Sequence, residues 1–509
     1  MPRKAHVIDL PALGALDRAA GSLGRQLAQT LREAIRRGEL RPGEALPSTR
    51  MLAQSLSLAR GTVVEAFEQL VAEGFLEARP GAGTRVAAAI EARRETTPAP
   101  RKAARKSAPA PLPTPAAAFA RVAQQFSALP HVPFAISVPL GATVPGEAWR
   151  RLGNRLRARG LGAPAGYGDP QGALPLRQAI ADYVRRSRSV RCEAQQVIVT
   201  SGTQQGLYLC CQVLLGAGER AWVENPAYSG ITSILQHGAG KAAVRVPVDE
   251  EGLDVAAGMR LAPDARAAFV TPSHQYPLGM PMSMARRDAL LEWARAAGAW
   301  IVEDDYDSEL RYAGHPFPSL QGLDAQRVVY LGTFSKVLYP SLRLGYLIAP
   351  PELVPAFTGA RVLMDRSPPG ADQHVLAAFM EEGHLDRHIR RVRGVYAEHR
   401  RQLMHTLTRL LSPELAWLQP SDQGMHLLLW LNVGLDDVEV ARNAAAAGVA
   451  VRAVSPMFAD GSARPGLVLG FGGFSGEQME KAARKLAGLI KTMAASGSSA
   501  GRKTAHAGR

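Results

Sequence analysis

GTFSKVLYPSLRLGY, residues 332–346, is the stretch that decides the fold of this 509-residue chain. It follows the run VVYL, which has the length and composition of a buried strand. Lys336 then lies in a loop of small residues, and Arg343 follows seven positions later. A lysine after a strand is usually a surface residue. Here the hydroxyls of Thr333 and Ser335 and the arginine beyond a proline indicate a reactive amine beside an anion-binding loop.

An acidic motif, WIVEDDYDSE, ends another apolar run. Burying several carboxylates is costly unless a cation or hydrogen-bond donors face them. Asp304 is the first candidate for an acid that faces a cationic ring, and Asp305 stays open because the sequence does not fix which one points inward. Tyr306 beside them offers a phenol hydroxyl. A solvated acidic loop is the alternative interpretation.

Three further motifs follow strands in the same way. VIVTSGTQQGLYL carries Gly202, Thr203 and Gln204 at the junction of a strand and a helix, where backbone N–H groups bind anions. WVENPAYSG places Tyr228 where its ring can stack on a flat ligand, although a packing role is more common for such a tyrosine. TPSHQYPLG adds a turn that carries Tyr276.

Together these groups form the set that pyridoxal phosphate requires. The cofactor needs a lysine for a Schiff base, an acid against the pyridine nitrogen, an aromatic ring that stacks on it and donors for its phosphate. Lys336, Asp304, Tyr228 and Arg343 supply these functions in a plausible order along the chain. The sequence therefore predicts pyridoxal 5′-phosphate as the cofactor.

The motifs are spread over a long region in which short apolar runs alternate with helical stretches. Such alternation predicts an α/β fold with a largely parallel sheet. The runs are Val197–Val199, Ala221–Val223, Ala267–Val270, Trp300–Val302, Val328–Leu331 and Leu344–Ile348.

The N-terminal part has a different texture. Apolar residues recur at helical spacing from Leu23 to Ile35, Ser48 is a good N-cap for a second helix, and a third helix is predicted over about residues 60–73. Two short strands around a Gly-rich turn follow, which completes a winged helix-turn-helix. Its third helix is expected to face the major groove. The predicted DNA contacts are Arg50, Arg60, Thr62, Arg79 and Gly81. A small helical bundle with solvated arginines is the alternative.

Most of the region from Gly166 to Ser475 resembles the fold type I aminotransferases, including their typical opening YGDPQGALPLRQAIADYV. The resemblance implies the fold of the pyridoxal-phosphate-dependent transferases with a smaller C-terminal α+β subdomain. It makes Lys336 the Schiff-base lysine and therefore the catalytic residue. It also implies a cofactor-binding set, namely Gly202, Thr203, Gln204, Tyr228, Tyr276, Asp304, Tyr306, Thr333, Ser335, Lys336 and Arg343.

Two positions depart from the aminotransferase pattern. Tyr276 stands where these enzymes usually carry an asparagine before Pro-Leu-Gly, which puts one bond to the ring oxygen in doubt. Val468, in GLVLGFGGF, stands where they carry the arginine that grips the substrate carboxylate. Arg452 and Arg464 are the candidates to replace that arginine. A carboxylate without a bidentate partner is held loosely, which argues against efficient transamination of ordinary amino acids.

LPSTRMLA and RGTVVEAFEQL make the N-terminal part similar to the GntR-type DNA-binding domain. That family often has Ser or Thr at the position of Gly61, so one hydroxyl contact is missing. The order of the two modules resembles the MocR subgroup of GntR regulators. The resemblance implies a head-to-tail homodimer on a double-stranded DNA operator, with a body that senses pyridoxal phosphate or an amine effector. The alternatives are a catalytically competent aminotransferase that carries a DNA-binding domain, and a scaffold with a dead cofactor site.

Composition agrees with these interpretations. The net charge of +15 and pI of about 10.1 favour a polyanionic partner, although arginine-rich sequences are often basic without such a function. The three cysteines have no zinc-type spacing and are too few for a disulfide framework. No apolar run is long enough for a membrane span. We therefore expect a cytoplasmic protein without a metal or a membrane anchor.

Changes in residue composition and in apolar periodicity along the chain also predict the domain boundaries. The winged helix-turn-helix is expected over residues 20–87 and the aminotransferase-like domain over residues 119–495. Residues 88–118, rich in Pro, Ala, Lys and Arg, cannot bury enough apolar surface to fold alone, and they are predicted to be a linker. The linker's basic side chains could contact DNA phosphates or be merely solvated. Residues 496–509 are predicted to be a disordered tail.

Overall fold

A computed structural model of the chain shows two compact units, residues 1–111 and residues 112–509, called here the head and the body. The division falls inside the segment predicted to be a linker. The predicted DNA contact Gly81 and the basic residues of that segment lie outside the described residues. The structure describes residues 16–18, 20–79, 83–88, 113–125, 130–136, 138–139, 146–161, 166–238, 240–315, 317–432, 434–459, 461 and 463–506, without side chains beyond residue 496.

The head contains three helices and a two-stranded antiparallel sheet. The helices are α1 (Leu23–Arg37), α2 (Thr49–Ser55) and α3 (Arg60–Ala72), and the strands are β1 (Leu76–Arg79) and β2 (Gly83–Val86). The Ser48 hydroxyl accepts a hydrogen bond of 3.3 Å from the Met51 amide and so caps α2. Gly38 ends α1 with a positive φ of 80°. The predicted winged helix-turn-helix is therefore confirmed.

The head has one small apolar core. Leu27, Leu31 and Phe67 are buried in it together with Leu76 of the hairpin. Two apolar residues of the helices lie outside this core. Met51 is 50% exposed because the seven-residue α2 turns Leu52 and Ala53 inward instead, and Val71 is 37% exposed near the end of α3.

The body is built on a sheet of eight strands. The order is β3-β10-β9-β8-β7-β4-β5-β6, and the pairs from β9 through β5 are parallel. β10 is antiparallel to both of its neighbours, so β3 runs in the same direction as β9. The strands are β3 (Val197–Thr200), β4 (Arg220–Asn225), β5 (Ala242–Asp249), β6 (Gly252–Leu253), β7 (Ala267–Val270), β8 (Trp300–Asp305), β9 (Val328–Thr333) and β10 (Gly345–Ile348).

The same part of the body contains helices, most of which pack on the faces of the sheet. They are α4 (Thr114–Gln125), α5 (Gly146–Ala158), α6 (Leu174–Arg188), α7 (Thr203–Leu214), α8 (Ser229–Ser233), α9 (Val255–Leu261), α10 (Met284–Ala297), α11 (Leu320–Leu323), α12 (Val354–Asp365) and α13 (Ala371–Glu381). Successive residues of β3 serve different apolar clusters. Val199 packs with residues of α6, such as Val184, while Ile198 packs with residues of α7, such as Leu207. The predicted α/β fold with a mostly parallel sheet is confirmed.

A smaller subdomain forms the C-terminal part of the body. Its four-stranded antiparallel sheet has the order β11-β12-β14-β13, and apolar residues of the long helices pack against it. The strands are β11 (Ala416–Leu418), β12 (His426–Leu431), β13 (Arg452–Ala453) and β14 (Gly466–Gly470). The helices are α14 (His384–Leu410), α15 (Asp437–Ala446) and α16 (Gly476–His506).

Two helices extend into segments that the sequence analysis predicted to be a linker and a disordered tail. Helix α4 begins at Thr114, inside the predicted linker, because the proline after it suits a first helical turn and the following alanines favour helix. Helix α16 continues to His506 through much of the predicted disordered tail. Extending an existing helix costs less free energy than starting one, and alanine, lysine and arginine in this segment favour the extension.

Candidate functional site

The predicted cofactor residues meet at one edge of the large sheet. Strands β3, β4, β7, β8 and β9 run in the same direction, so their carboxyl ends lie together. The loops that leave these ends carry Gly202, Tyr228, Tyr276, Tyr306 and Lys336. In α/β sheets, ligands bind in a crevice at this edge. The fold therefore brings motifs from distant parts of the chain to a single place, which we call the pocket.

Lys336 and Asp304 lie close enough in the pocket for each to stabilise the charged form of the other. Burial lowers the pKa of Lys336 to about 8, although Asp307 and Asp304 act in the opposite direction. Burial raises the pKa of Asp304 to about 7, helped by Asp305 and opposed by Lys336. The Asp304 Oδ1 atom is buried, and no group in the described part of the chain bonds to it.

Asp305, the alternative acid, points away from the pocket. Its Oδ2 accepts hydrogen bonds of 2.6 Å from Arg188 Nε and 2.6 Å from Tyr330 Oη. Both partners are buried, and neighbouring residues of a strand face opposite sides of the sheet. The placement therefore favours Asp304 as the acid that faces a ring nitrogen.

A small polar cradle lies at the start of α7. Gly202 is the N-cap of this helix with a φ of 89°, and an added Cβ there would lie 3.4 Å from the Arg343 guanidinium. Arg343 donates to the Ser201 carbonyl oxygen. Ser335 Oγ is buried without a partner, while the Ser335 amide donates to Thr333 Oγ1 at 3.1 Å. Helix amides, a guanidinium and a free hydroxyl suit a phosphate dianion.

Three tyrosine rings line the pocket. Tyr276 stands perpendicular to both Tyr228 and Tyr306, with ring centroids 6.1 Å apart in each pair. Tyr228 Oη donates to Gln204 Oε1 at 2.9 Å, which ties the predicted stacking ring to the phosphate cradle. Burial raises the pKa of Tyr228 to about 12, so its hydroxyl stays protonated. A group of aromatic rings beside a cradle for an anion suits a flat phosphorylated ring. Asp304 Oδ1 and Ser335 Oγ, which have no partner among the described residues, would bond to the ring nitrogen and the phosphate of such a ligand.

The head presents its predicted DNA contacts on the surface. Arg50, near the start of α2, and Arg60, the first residue of α3, are exposed, and neither forms an ion pair with any described residue. Thr62 is partly buried in the first turn of α3. Arg79, at the end of β1, is exposed and lies 3.4 Å from Glu77. An exposed helix N-terminus flanked by unpaired guanidinium groups suits recognition of a DNA groove and its phosphates.

Both parts of the chain match known families. Residues 23–86 match the bacterial regulatory proteins of the gntR family, and residues 132–486 match the class I and II aminotransferases. The probable rhizopine catabolism regulatory protein MocR of Rhizobium meliloti is 36% identical over 488 residues, which cover 95% of this chain and 97% of that protein. The chain belongs to the MocR subgroup of GntR transcriptional regulators.

Other relatives of this MocR-type regulator agree with that placement. The HTH-type pyridoxine biosynthesis transcriptional regulator PdxR of Corynebacterium glutamicum is 35% identical over 89% of this chain and 92% of its own length. Among solved structures, the α-aminoadipate aminotransferase LysN of Thermus thermophilus superposes with a TM-score of 0.67 at 28% identity. The superposed region covers 75% of this chain and 98% of the enzyme. The cofactor of the MocR-type body is pyridoxal 5′-phosphate, as in these aminotransferases. None of the described helices is long and apolar enough to cross a membrane.

The structure separates the two candidates for the missing anion-binding arginine. Arg452 of β13 pairs directly with Val468 of β14, so it stands on the strand next to the predicted position. Its Nη1 lies 3.5 Å from Tyr276 Oη, and its charge lowers the pKa of Lys336. Arg464 is exposed and lies over the Trp430 ring, 4.5 Å from the centroid. Of the two, only Arg452 reaches the pocket of the MocR-type body.

Four polar residues of the pocket were missed by sequence reasoning. Glu224, at the end of β4, accepts hydrogen bonds from Thr271 and Gln275, and burial raises its pKa to about 7. His274, Asp307 and His426 place one potential metal-ligand atom each within 4.8 Å of the others. Polar residues at strand ends, inside motifs already noticed, were the available signal for all but His426.

Hydrogen bonds already account for most of that histidine–aspartate cluster. His274 Nδ1 lies 3.0 Å from Asp307 Oδ2, and His426 Nε2 lies 3.2 Å from the Pro277 carbonyl oxygen. Burial lowers the pKa of His426 to about 3, so this imidazole is neutral at physiological pH. The arrangement is that of a buried hydrogen-bond network, and the absence of a metal stays a prediction.

Proposed function

We propose that this MocR-type regulator senses a small amine with an anionic group, which reacts with pyridoxal phosphate held at Lys336. The observation that carries the proposal is that Lys336 lies near the buried, unsatisfied Oδ1 atom of Asp304, so that each charge stabilises the other. A lysine with a pKa of about 8 is partly uncharged near neutral pH, and only the uncharged amine attacks a carbonyl carbon. Pyridoxal phosphate itself is the simplest alternative signal.

The remaining pocket residues would hold the cofactor. Asp304 would keep a proton on the ring nitrogen, and Tyr228 would stack on the ring. Gly202, Thr203, Ser335 and Arg343 would bind the phosphate. When bound, pyridoxal phosphate supplies an electrophilic carbonyl carbon and an electron-withdrawing ring.

The character of the effector follows from Arg452. Among the described residues this guanidinium has no carboxylate within ion-pair distance, and Tyr276 Oη is its one hydrogen-bond partner. A partly buried cation without an acid, beside a reactive lysine, favours a ligand that carries both an amine and a carboxylate or sulfonate. The names of MocR and PdxR refer to rhizopine catabolism and to pyridoxine biosynthesis, so membership of the subgroup does not determine the signal.

Coupling to DNA requires that the ligand favour one of two states of the protein. We propose a head-to-tail homodimer in the cytoplasm, in which a change in the body alters the spacing of the two heads on a double-stranded operator. Arg50, Arg60, Thr62, Arg79 and Gly81 would contact that DNA. Because both heads must bind at the same time, a small change of spacing alters the affinity strongly.

A catalytically competent aminotransferase with a DNA-binding domain is the second candidate. The likeness to LysN favours it, and the complete cofactor set around Lys336 is compatible with it. Val468 in place of the expected arginine weighs against an aminotransferase. A loosely bound carboxylate leaves a smaller fraction of the bound substrate in the orientation that reacts.

Absorption spectroscopy tests the proposal. Purified protein with added pyridoxal phosphate is expected to show a visible band that borohydride removes, while Lys336→Ala shows free cofactor only. Lys485→Ala, on the exposed side of α16, is the matched control and should behave as the parent. Amines with and without a carboxylate or sulfonate are then titrated. Anionic amines are expected to change the band at lower concentration, without keto-acid product in catalytic excess. Multiple turnovers would favour the aminotransferase instead.

A further inference from the structure

Tyr306 belongs to a buried hydrogen-bond chain that leads away from the pocket. Its Oη lies 3.0 Å from His274 Nδ1. The same nitrogen lies 3.0 Å and 3.1 Å from the two carboxylate oxygens of Asp307. The His274 and Asp307 side chains are only 2% and 1% exposed. One ring nitrogen therefore serves a phenol and a carboxylate at the same time.

The chemistry of the three groups restricts where the protons lie. An ionised carboxylate only accepts hydrogen bonds, so the His274–Asp307 contact is favourable when Nδ1 carries a proton. Tyr306 Oη then accepts from that same N–H or stands beside it, and it cannot donate to Nδ1. Its own hydroxyl proton must therefore point elsewhere, and because no other described group bonds to this hydroxyl, the proton is free to face a ligand in the pocket.

The surroundings of the His274 ring support the same tautomer. Nε2 is buried without a partner in the described part of the chain. A buried N–H without an acceptor costs more than an unused acceptor lone pair, so the proton belongs on Nδ1. Gly424 holds the ring in this orientation. It has a φ of 78°, and an added Cβ there would lie only 1.9 Å from His274 Cε1.

We infer that His274 and Asp307 are positioning residues that fix Tyr306 as a hydrogen-bond donor toward the phenolic oxygen of pyridoxal phosphate. The inference rests on the proposed cofactor role of the pocket and extends it to two residues without a direct contact to the ring. It also gives a reason for the loss of asparagine at position 276. Since Tyr276 Oη faces Arg452, the remaining donor to the ring oxygen is Tyr306, and its direction has to be secured.

Charged groups around Tyr306 act in the same sense. Burial raises the pKa of Tyr306 well above its usual value, and the charges of Asp307, Asp304 and Glu224 add to that effect. Cations oppose these acids: Lys336 acts on Asp304 and Arg245 acts on Glu224, while Arg343 and Arg452 lie near Lys336. Tyr306 therefore keeps its proton throughout the physiological pH range and remains available as a donor.

The first test needs no cofactor. In protein labelled with ¹⁵N-histidine, the His274 signals are assigned by their loss in His274→Asn, and their shifts report which ring nitrogen is protonated. We expect a proton on Nδ1 in the parent. A proton on Nε2 alone would overturn the inference, and so would a stoichiometric metal ion bound by the purified parent. These readouts hold even if the cofactor proposal fails.

The second test uses the visible spectrum of the bound cofactor as a function of pH. Asp307→Asn removes the carboxylate that holds the proton on Nδ1, so the other tautomer becomes available, and its unprotonated Nδ1 can accept a hydrogen bond from Tyr306 in place of the cofactor. Loss of this donor is expected to raise the midpoint of the spectral change by about one pH unit. The charge lost at position 307 acts in the opposite direction, so a double-mutant cycle is required.

The cycle compares Asp307→Asn in the parent and in Tyr306→Phe. The midpoint shift caused by Asp307→Asn should be about one pH unit more positive in the parent than in Tyr306→Phe, where the hydroxyl is absent. Equal shifts in both backgrounds would overturn the inference. His399→Asn is the control, since this buried histidine lies 3.3 Å from the Phe471 carbonyl oxygen in the smaller subdomain. Its midpoint should equal that of the parent.

Discussion

Arginines of the head and of the body stand in opposite surroundings. Arg50 and Arg60 of the head are exposed, and no acidic side chain of the described residues pairs with them. Arg188 of the body is buried against Asp305, and Arg287 donates to the carbonyl oxygens of Met282, Pro318 and Pro272. Arg50 and Arg60 are therefore available to an external polyanion, while Arg188 and Arg287 stabilise the fold of the body.

Arg343 and Arg452, two arginines of the body, also have no acidic partner among the described residues. Each donates to one neutral oxygen, from Ser201 and from Tyr276, and neither pairs with an acid among the described residues. They behave like the arginines of the head, and both lie at the pocket. We propose that these four guanidinium groups bind external anions, namely DNA phosphate at the head and the cofactor phosphate and an effector anion in the pocket.

The largest expected effect is the loss of cofactor attachment in Lys336→Ala. The head should be untouched by this substitution, so DNA binding without cofactor is expected to equal that of the cofactor-free parent. Gel shift on the upstream region, with Lys485→Ala as control, measures this. If Lys336→Ala lost DNA binding without the cofactor, the head and the body would not function independently in the absence of the cofactor.

Asp304→Asn is expected to weaken pyridoxal phosphate binding about tenfold to a hundredfold, because a hydrogen bond to a charged group contributes about 1.5–3 kcal/mol. Equilibrium dialysis measures the affinity. Asp305→Asn provides the contrast. It leaves Arg188 without its buried counterion, so it should lower the melting temperature more than Asp304→Asn does. If Asp305→Asn weakened cofactor binding more and Asp304→Asn lowered the melting temperature more, Asp305 would be the acid that faces the ring nitrogen.

Arg60→Ala is expected to weaken operator binding by about 1–3 kcal/mol and to relax sequence preference if Arg60 contacts a base. Arg37→Ala is the control in the same domain, because Glu39 and Glu33 already meet its charge. Binding constants of both variants against salt concentration separate base contacts from phosphate contacts. If Arg60→Ala binds as tightly as Arg37→Ala, the assignment of α3 as the recognition helix is wrong.

The smallest effect is expected from Gly61→Ser. An added Cβ at Gly61 meets no atom within 4 Å, so the side chain fits without strain. One restored hydroxyl contact should strengthen operator binding about twofold to tenfold, since a neutral hydrogen bond contributes about 0.5–1.5 kcal/mol. Fluorescence anisotropy resolves a change of that size. Weaker binding would show that this turn of α3 does not approach the DNA closely.

The sequence alone predicts the features of the site whose residues are close together in the chain better than the features formed by residues far apart in it. Lys336, Arg343 and the strand before them lie in one short segment, so their motif is readable directly. Asp304 and Asp305 are neighbours, and only the pairing of Asp305 with Arg188, from a helix 117 residues earlier, distinguishes them. The His274–Asp307 contact and the pairing of Arg452 with Val468 depend on tertiary contacts and strand register, which composition does not reveal.

Sequence texture predicts the head well because its core is local. Leu27, Leu31 and Phe67 follow helical periodicity within one small cluster. The boundaries are harder to predict, since α4 and α16 extend helices into segments whose composition suggests disorder. Helical propensity prevailed over polarity at both places.

We propose that chemistry at Lys336 changes the affinity of the head for DNA. The operator dissociation constant of the parent and of Lys336→Ala, each with and without pyridoxal phosphate and an anionic amine at fixed salt, tests this coupling. We expect a change of at least about fivefold in the parent, the lower end of typical coupling between sites, and none in the variant. Equal dissociation constants under all conditions in the parent would contradict it.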